Sequence, residues 1–431
     1  MKAAYAAKVP SMPSDPANFA AMLRGVNLPF HPELTIPELH RVVLPAPFGI
    51  PIDDVRSAAA ASVKARFDGV VRPGATVAVG AGSRGLTARV EMLAGVIEGL
   101  RSVGADPFVV PAMGSHGGGT AEGQLEVLTG YGITEDAVGA PIRATMETVE
   151  VARTPSGVPM FLDRYAAGAD HFFPVNRIKP HTCFTGPLES GLSKMCVVGF
   201  GKQPGAAQIH ASGPEVMRQM IVDGIAAHRT TGRLLGGFAS IENAAGDVVV
   251  AEALLGSEIG VAREIALTDL AKTHVTRLAF EPIDVLIINE IGKDISGVMM
   301  DPNVTGRYWV NGHEGQSTTA TIVALGLTDG GHGNALGIGL ADFITTEVAA
   351  KVDWHKTYIN CFTAGPAGVR RSRMPMALPT EEDAIKAALS MCGRPVHEPK
   401  RVVRIRSTLH LTEMWISDAL LADLPPGVIV G

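Results

Sequence analysis

The arrangement of apolar and polar positions changes character along the chain. Residues 1–50 are rich in proline and show no period, which predicts an extended arm packed on the body or on a neighbouring subunit. From Thr76 the pattern sharpens. The β-branched run Thr76-Val77-Ala78-Val79 meets the breakers Gly80-Ala81-Gly82, and Val90, Leu93, Ile97 and Leu100 then recur at helical spacing, with Thr87 placed to cap that helix. Phe108-Val109-Val110 follows Gly104-Ala105-Asp106-Pro107, and Thr120 precedes another helical stretch. Strand, helix, strand in that order is a βαβ unit, so an α/β fold is expected, with a mostly parallel or mixed sheet and flanking helices.

His171-Phe172-Phe173-Pro174-Val175 reads as a third strand whose proline blurs its limits. Ile283-Asp284-Val285-Leu286-Ile287-Ile288 reads as a buried strand after a break at residues 273–282. That break sets two domains, 1–277 and 278–431, each on its own sheet. A chain of 431 residues, 46% hydrophobic and 19% charged, is long enough to bury more than one core. The glycine-rich segment 328–339 contains a G-x-G without a strand-to-helix fingerprint, so it predicts tight turns and close backbone packing rather than a dinucleotide site.

Charge narrows the partner classes. A net charge of −6 offers no basic excess to neutralise phosphate backbones or anionic lipid, so the expected partner is a small molecule, not nucleic acid or a membrane. No stretch approaches the roughly 18 uninterrupted apolar residues of a membrane span, and residues 1–20 lack a secretory core, which gives a cytoplasmic expectation. Cys183, Cys196, Cys361 and Cys392 are scattered without a C-x-x-C spacing and read as reduced thiols. A homo-oligomer stays open.

In open parallel sheets ligands bind beyond the carboxyl ends of the strands. Ser83-Arg84 and His116 follow the first two strands there, and Asn176-Arg177-Ile178-Lys179-Pro180-His181 follows the third. Lys194 and His210 lie in the glycine-rich stretch GLSKMCVVGFGKQPGAAQIH that comes next. Singly, such residues are usually solvated or structural. As a set they suit chemistry at a carbinol carbon. Two histidines can act as base and acid on opposite faces, a lysine amine can hold a cofactor covalently, and an imidazole can ligate nickel, zinc or copper.

These blocks resemble the nickel-dependent lactate racemases and related 2-hydroxyacid racemases and epimerases. Residues 114–123, G-S-H-G-G-G-T-A-E-G, look like the family's glycine-histidine loop, and K-P-H at 179–181 looks like the block with its second catalytic histidine. Lys194 and His210 keep the family's sixteen-residue separation between the cofactor lysine and the nickel histidine. The resemblance implies that His116 and His181 are catalytic and that the active site lies in the interdomain cleft. It further implies that a nickel-pincer nucleotide is joined to Lys194 and contacts Ser83, Gly117 and Gly118, that His210 binds the metal, and that Arg84 and Lys293 hold the substrate carboxylate. The implied reaction inverts C2 of a small 2-hydroxy acid by hydride transfer.

Three positions depart from that pattern. Ala81 stands where the family often has aspartate, Glu290 stands at the family's substrate-binding glutamine, and the segment from 181 to 194 is longer. A carboxylate at 290 repels a substrate carboxylate unless it is protonated or paired. Arg177 and Lys179 are two extra cations suited to a second carboxylate or a phosphate. Two alternatives therefore stand beside the racemase. One is an enzyme of the same fold using a plain divalent metal held by His181, His210 and Glu189 or His116, acting by proton abstraction. The other is a non-catalytic binder of an organic acid or cofactor.

Overall fold

The computed structural model describes residues 28–45, 49–82, 87–210, 213–275, 277–310, 315 and 317–431. In chain order its strands begin with β1 (Leu39–Val43), β2 (Thr76–Ala81), β3 (Asp106–Pro111), β4 (Thr148–Arg153), β5 (Pro159–Asp163), β6 (His171–Arg177), β7 (Gly236–Glu242) and β8 (Val248–Leu255). They continue with β9 (Ile283–Ile288), β10 (Thr319–Ala324), β11 (Phe343–Thr345), β12 (Met376–Leu378), β13 (Val402–Ser407), β14 (His410–Ser417) and β15 (Ile429–Val430).

The expected α/β fold holds, on two large sheets beside a two-stranded hairpin of β4 and β5. One has the order β3-β2-β6-β7-β8, and the other β12-β11-β10-β9-β13-β14-β1-β15. In the five-stranded sheet β2 pairs in parallel with β3 on one side and β6 on the other, and only β8 runs antiparallel. The βαβ unit is formed by β2, the helix Arg89–Ser102 and β3. Alternate residues of the strands face opposite ways. Val77, Val79, Val109 and Phe173 pack with the helix Val55–Phe67 and with Met92, Val96 and Leu100, whereas Ala78, Phe108, Val110 and Phe172 pack with Val197, Phe200, Ile221 and Leu267. A sheet covered on both faces needs such apolar runs, which is why β2 and β3 were legible.

Pro174 sits inside β6 opposite Gly80 of β2. Without an N–H it cannot extend the ladder to β7, whose pairing starts only at Val175.

In the eight-stranded sheet β9 is flanked in parallel by β10 and β13. Leu286 and Ile288 face a core with Ile322, Ile344 and Ile405, and Val285 and Ile287 face another with Val323, Leu389 and Val402. β1 joins this sheet between β14 and β15, so part of the expected arm is a strand. Only Val42 of its five residues is buried, too little to show a period. The segment 328–339 forms two short 3-10 turns, Asp329–Gly331 and Ile338–Leu340. A Cβ on Gly337 would run into the Val298 backbone, the close packing expected there.

Candidate active site

Chain order reverses at β2. From it the chain proceeds outward to β3, while β6 is added on the opposite side, so the carboxyl ends of β3, β2 and β6 form a topological switch point. The loop after β3 carries His116, and the loop after β6 carries His181. Two strand spacings, about 10 Å, separate the strands that lead into those loops.

The loop after β3 is built on glycine. Gly114, Gly117, Gly118 and Gly119 all have φ between 61° and 69°. A Cβ on Gly117 would strike the backbone of Gly123 and Gln124, so the loop folds back tightly on the next helix. Thr120 caps that helix, Ala121–Gly130, by accepting the Gly123 N–H at 3.0 Å, as its position predicts. Thr87, by contrast, does not cap the helix at Arg89–Ser102. Ala88 holds the cap position with φ 53°, and the Thr87 N–H donates instead to Glu242 Oε1 at 2.8 Å. His116 is exposed at the loop's crest.

The loop after β6 is polar and buried. The His181 N–H donates to Glu189 Oε2 at 2.7 Å, the Gly186 N–H donates to Glu189 Oε1 at 3.0 Å, and Lys272 Nζ lies 3.3 Å from the same oxygen. Both Glu189 oxygens are thus engaged in shaping the loop. The His181 ring stacks on Phe184 at 4.2 Å and is nearly buried. Its Nδ1 accepts the Cys183 N–H at 3.1 Å, and its Nε2 lies 2.5 Å from Lys194 Nζ.

With Nδ1 accepting, a neutral His181 ring carries its proton on Nε2, facing Lys194 Nζ, a proton that the lysine can accept only as an uncharged amine. An uncharged lysine amine is a nucleophile, suited to covalent attachment.

Lys194 reaches the imidazole because its backbone is held from below. Leu192–Lys194 begins a short helix that continues as a π-turn over Met195–Gly199, where the Phe200 N–H reaches Met195 O at 2.9 Å. Such turns are frequent at functional sites. Glu264, buried, accepts the Ser193 N–H at 2.9 Å, the Ser193 hydroxyl at 2.5 Å and the Gly260 N–H at 2.8 Å, and burial pushes its carboxyl above the usual range. A Cβ on Gly199 would meet Ala112 O, so the turn lies directly against the end of β3, and the Gly114 N–H donates to Gly199 O at 3.0 Å. The segments carrying His116 and Lys194 are therefore in contact.

Other expected site residues are placed elsewhere or not described. Ser83 and Arg84 lie outside the described residues, as does the side chain of His210, whose backbone ends the helix Lys202–His210. Ala81 is a buried β2 residue. Lys293 and Glu290 follow β9 in the other sheet. Lys293 Nζ donates to Gly297 O at 2.7 Å and Asn360 Oδ1 at 2.8 Å, while Glu290 Oε2 lies 3.5 Å from Arg406 Nε at the surface. Arg177 pairs with Glu242, and Lys179 Nζ lies 3.7 Å from Asp301 Oδ2. Among the described residues no cluster of three His, Cys, Asp or Glu side chains is arranged to hold a metal, and no helix is long and apolar enough to cross a membrane.

Arg371 and Glu264 escaped sequence reasoning. Arg371, 1% exposed, crosses from the second half of the chain to donate to Thr182 O at 2.6 Å, Cys183 Sγ at 3.1 Å and Tyr308 O at 2.8 Å. In the run Val369-Arg370-Arg371-Ser372-Arg373 it looks like one of several solvated cations. Glu264 carries no local signal either.

Neither a protein-family model nor any curated protein sequence matches the chain. Among solved structures, the lactate racemase apoprotein from Thermoanaerobacterium thermosaccharolyticum is similar over 67% of this chain and 74% of its own, at 12% identity and a TM-score of 0.41. A protein from Thermotoga maritima is similar over 64% of this chain and 72% of its own, at 11% identity and a TM-score of 0.45.

Proposed function

We propose that this chain is an isomerase, a racemase or epimerase that inverts C2 of a small 2-hydroxy acid. The observation that carries the reading is the 2.5 Å approach of Lys194 Nζ to His181 Nε2 at the switch point of the sheet, with the His116 loop following the strand on the far side of β2. Inversion needs proton-handling groups on two sides of one carbon, and the strands that lead to the His116 and His181 loops flank β2 on opposite sides.

A lysine whose segment packs against a glycine-built loop fits the attachment point of a lysine-anchored nickel-pincer nucleotide. Lys194 would hold it, Gly117 and Gly118 would let it approach the backbone, and His210 and Ser83 would complete its contacts. When bound, such a group supplies an acceptor for the C2 hydrogen as hydride. The chain's own residues do the rest. One of His116 and His181 takes the hydroxyl proton and the other acts on the opposite face, His181 exchanging its proton through the nitrogen that faces Lys194, while Arg84 and Lys293 hold the carboxylate. Tight closure of the His181 loop under Arg371 keeps water from the imidazole.

The test is a chiral assay of a 2-hydroxyacid panel on protein produced together with the cofactor-synthesis enzymes. Inversion by the wild type and its loss in His116→Ala and in His181→Ala is the expected result. Undiminished inversion in either variant ends the reading for that histidine.

A further inference from the structure

Lys202 lies eight residues beyond Lys194 and is fully buried, with φ 51°, a left-handed backbone that side-chain-bearing residues rarely adopt. Its ammonium has three N–H groups and three oxygens around it. Nζ donates to Pro111 O at the end of β3 and to Gln124 Oε1 at 2.9 Å, and lies 3.0 Å from Asp163 Oδ2. Asp163 is itself fully buried and is fixed by the Tyr165 and Ala166 N–H groups on Oδ1, at 2.8 and 3.2 Å. Burial pushes the Lys202 ammonium down and the Asp163 carboxyl up. Each charge therefore depends on the other.

Gln124 carries this order into the His116 loop. It is fully buried, and with Lys202 on its oxygen its amide nitrogen is obliged to face the other way, donating to Gly114 O at 2.9 Å and His116 O at 3.3 Å. A line of contacts thus runs from Asp163 through Lys202 and Gln124 to the carbonyl of His116 itself. Lys202 also anchors the start of the helix that ends at His210, so a single ammonium links that helix to the end of β3 and to the glycine loop.

We infer that Lys202 and Gln124 are positioning residues that fix the backbone of the His116 loop relative to Lys194. The inference rests on the reading of His116 as an acid–base group. A loop whose glycines all sit near φ 65° has little stiffness of its own, so its shape has to be imposed from outside.

The test uses the full chain with Lys202→Met, Lys202→Arg and Gln124→Leu, checked for folding by thermal unfolding, beside His116→Ala as reference. Gln124→Leu leaves the Lys202 and Asp163 pair intact and carries the test if Lys202→Met does not fold. Two readouts are independent of turnover: amide hydrogen exchange over residues 113–119, and the titration of the His116 ring followed by labelled-histidine NMR. Exchange at least about tenfold faster over 113–119 and a moved His116 titration are expected in both neutral variants, with partial rescue in Lys202→Arg. In the cofactor-loaded protein kcat is expected to fall by about 100-fold with KM little changed, since small misplacements of an acting group cost that much. Folded variants with unchanged exchange and unchanged His116 titration would overturn the inference. Retained inversion in His116→Ala would instead remove the reading beneath it and leave the exchange result standing.

Discussion

Lys194 Nζ and His181 Nε2 meet at 2.5 Å, while the opposite ring nitrogen of His181 accepts the Cys183 amide. With Nδ1 accepting, a neutral His181 ring turns Nε2–H toward Lys194, which can accept it only as an uncharged amine. Reductive methylation with small reagents followed by peptide mass spectrometry is expected to modify Lys194 at neutral pH ahead of the exposed Lys64, and His181→Phe is expected to abolish that lead. Equal labelling of the two lysines in the wild type would show that Lys194 is not activated.

Arg371 spans the two halves of the chain at the His181 loop. Replacing it with Met leaves Thr182 O and Tyr308 O buried without their donor, a loss of about 3 kcal/mol in urea unfolding. Exchange at residues 182–184 is expected to rise with it. Stability within 0.5 kcal/mol of wild type, a margin of about the size of an ordinary surface substitution, would contradict this role.

The two buried basic side chains near the sheet differ in kind. Lys202 is surrounded by oxygens, whereas all three guanidinium nitrogens of Arg89 are buried without a hydrogen bond of ordinary geometry among the described residues, and its charge rests on the face of Tyr131 at 3.8 Å. Burial pushes the Arg89 guanidinium below its usual range. Arg89→Met is therefore expected to stabilise the fold by about 1 kcal/mol, while Lys202→Met destabilises it by about 3 kcal/mol because Asp163 is left alone. Denaturant midpoints of the two variants decide it.

His228 is fully buried with neither ring nitrogen hydrogen-bonded among the described residues, and burial lowers its pKa to about 4. The unfolded chain binds a proton there below about 6.5, the folded chain only below about 4. Stability contributed by the neutral ring is full above pH 6.5, falls as pH drops from 6.5 to 4, and levels off below, a loss of about 3 kcal/mol. The stability of His228→Leu relative to wild type is expected to rise by that amount across the window. A pH-independent difference would place the ring in a hydrated environment.

The sheet cores were readable because strands covered on both faces carry continuous apolar runs, as in β2, β3 and β9. The polar residues after β3 and β6 were readable as a rim for the same reason. What escaped was neighbour choice. β1 is five residues with one buried side chain, and its partners β14 and β15 lie at the far end of the chain. The hairpin of β4 and β5 escaped as well, since no residue of its first strand, Thr148–Arg153, is buried. His116, His181 and Lys194, singled out by residue type and spacing, lie on the loops after β3 and β6 and in the short helix Leu192–Lys194. Arg371, Glu264 and Lys202 act through long-range contacts that no local window contains, and each is a charged residue whose ordinary place is the surface.

Intact-mass and metal analysis of protein produced with and without the cofactor-synthesis enzymes, on wild type and Lys194→Ala, bears most directly on the claim that this amine anchors the reactive group. A mass increase with bound nickel, mapped to the Lys194 peptide in the wild type and missing from Lys194→Ala, is the predicted result. Loading that survives Lys194→Ala, or an adduct on another residue, would contradict it.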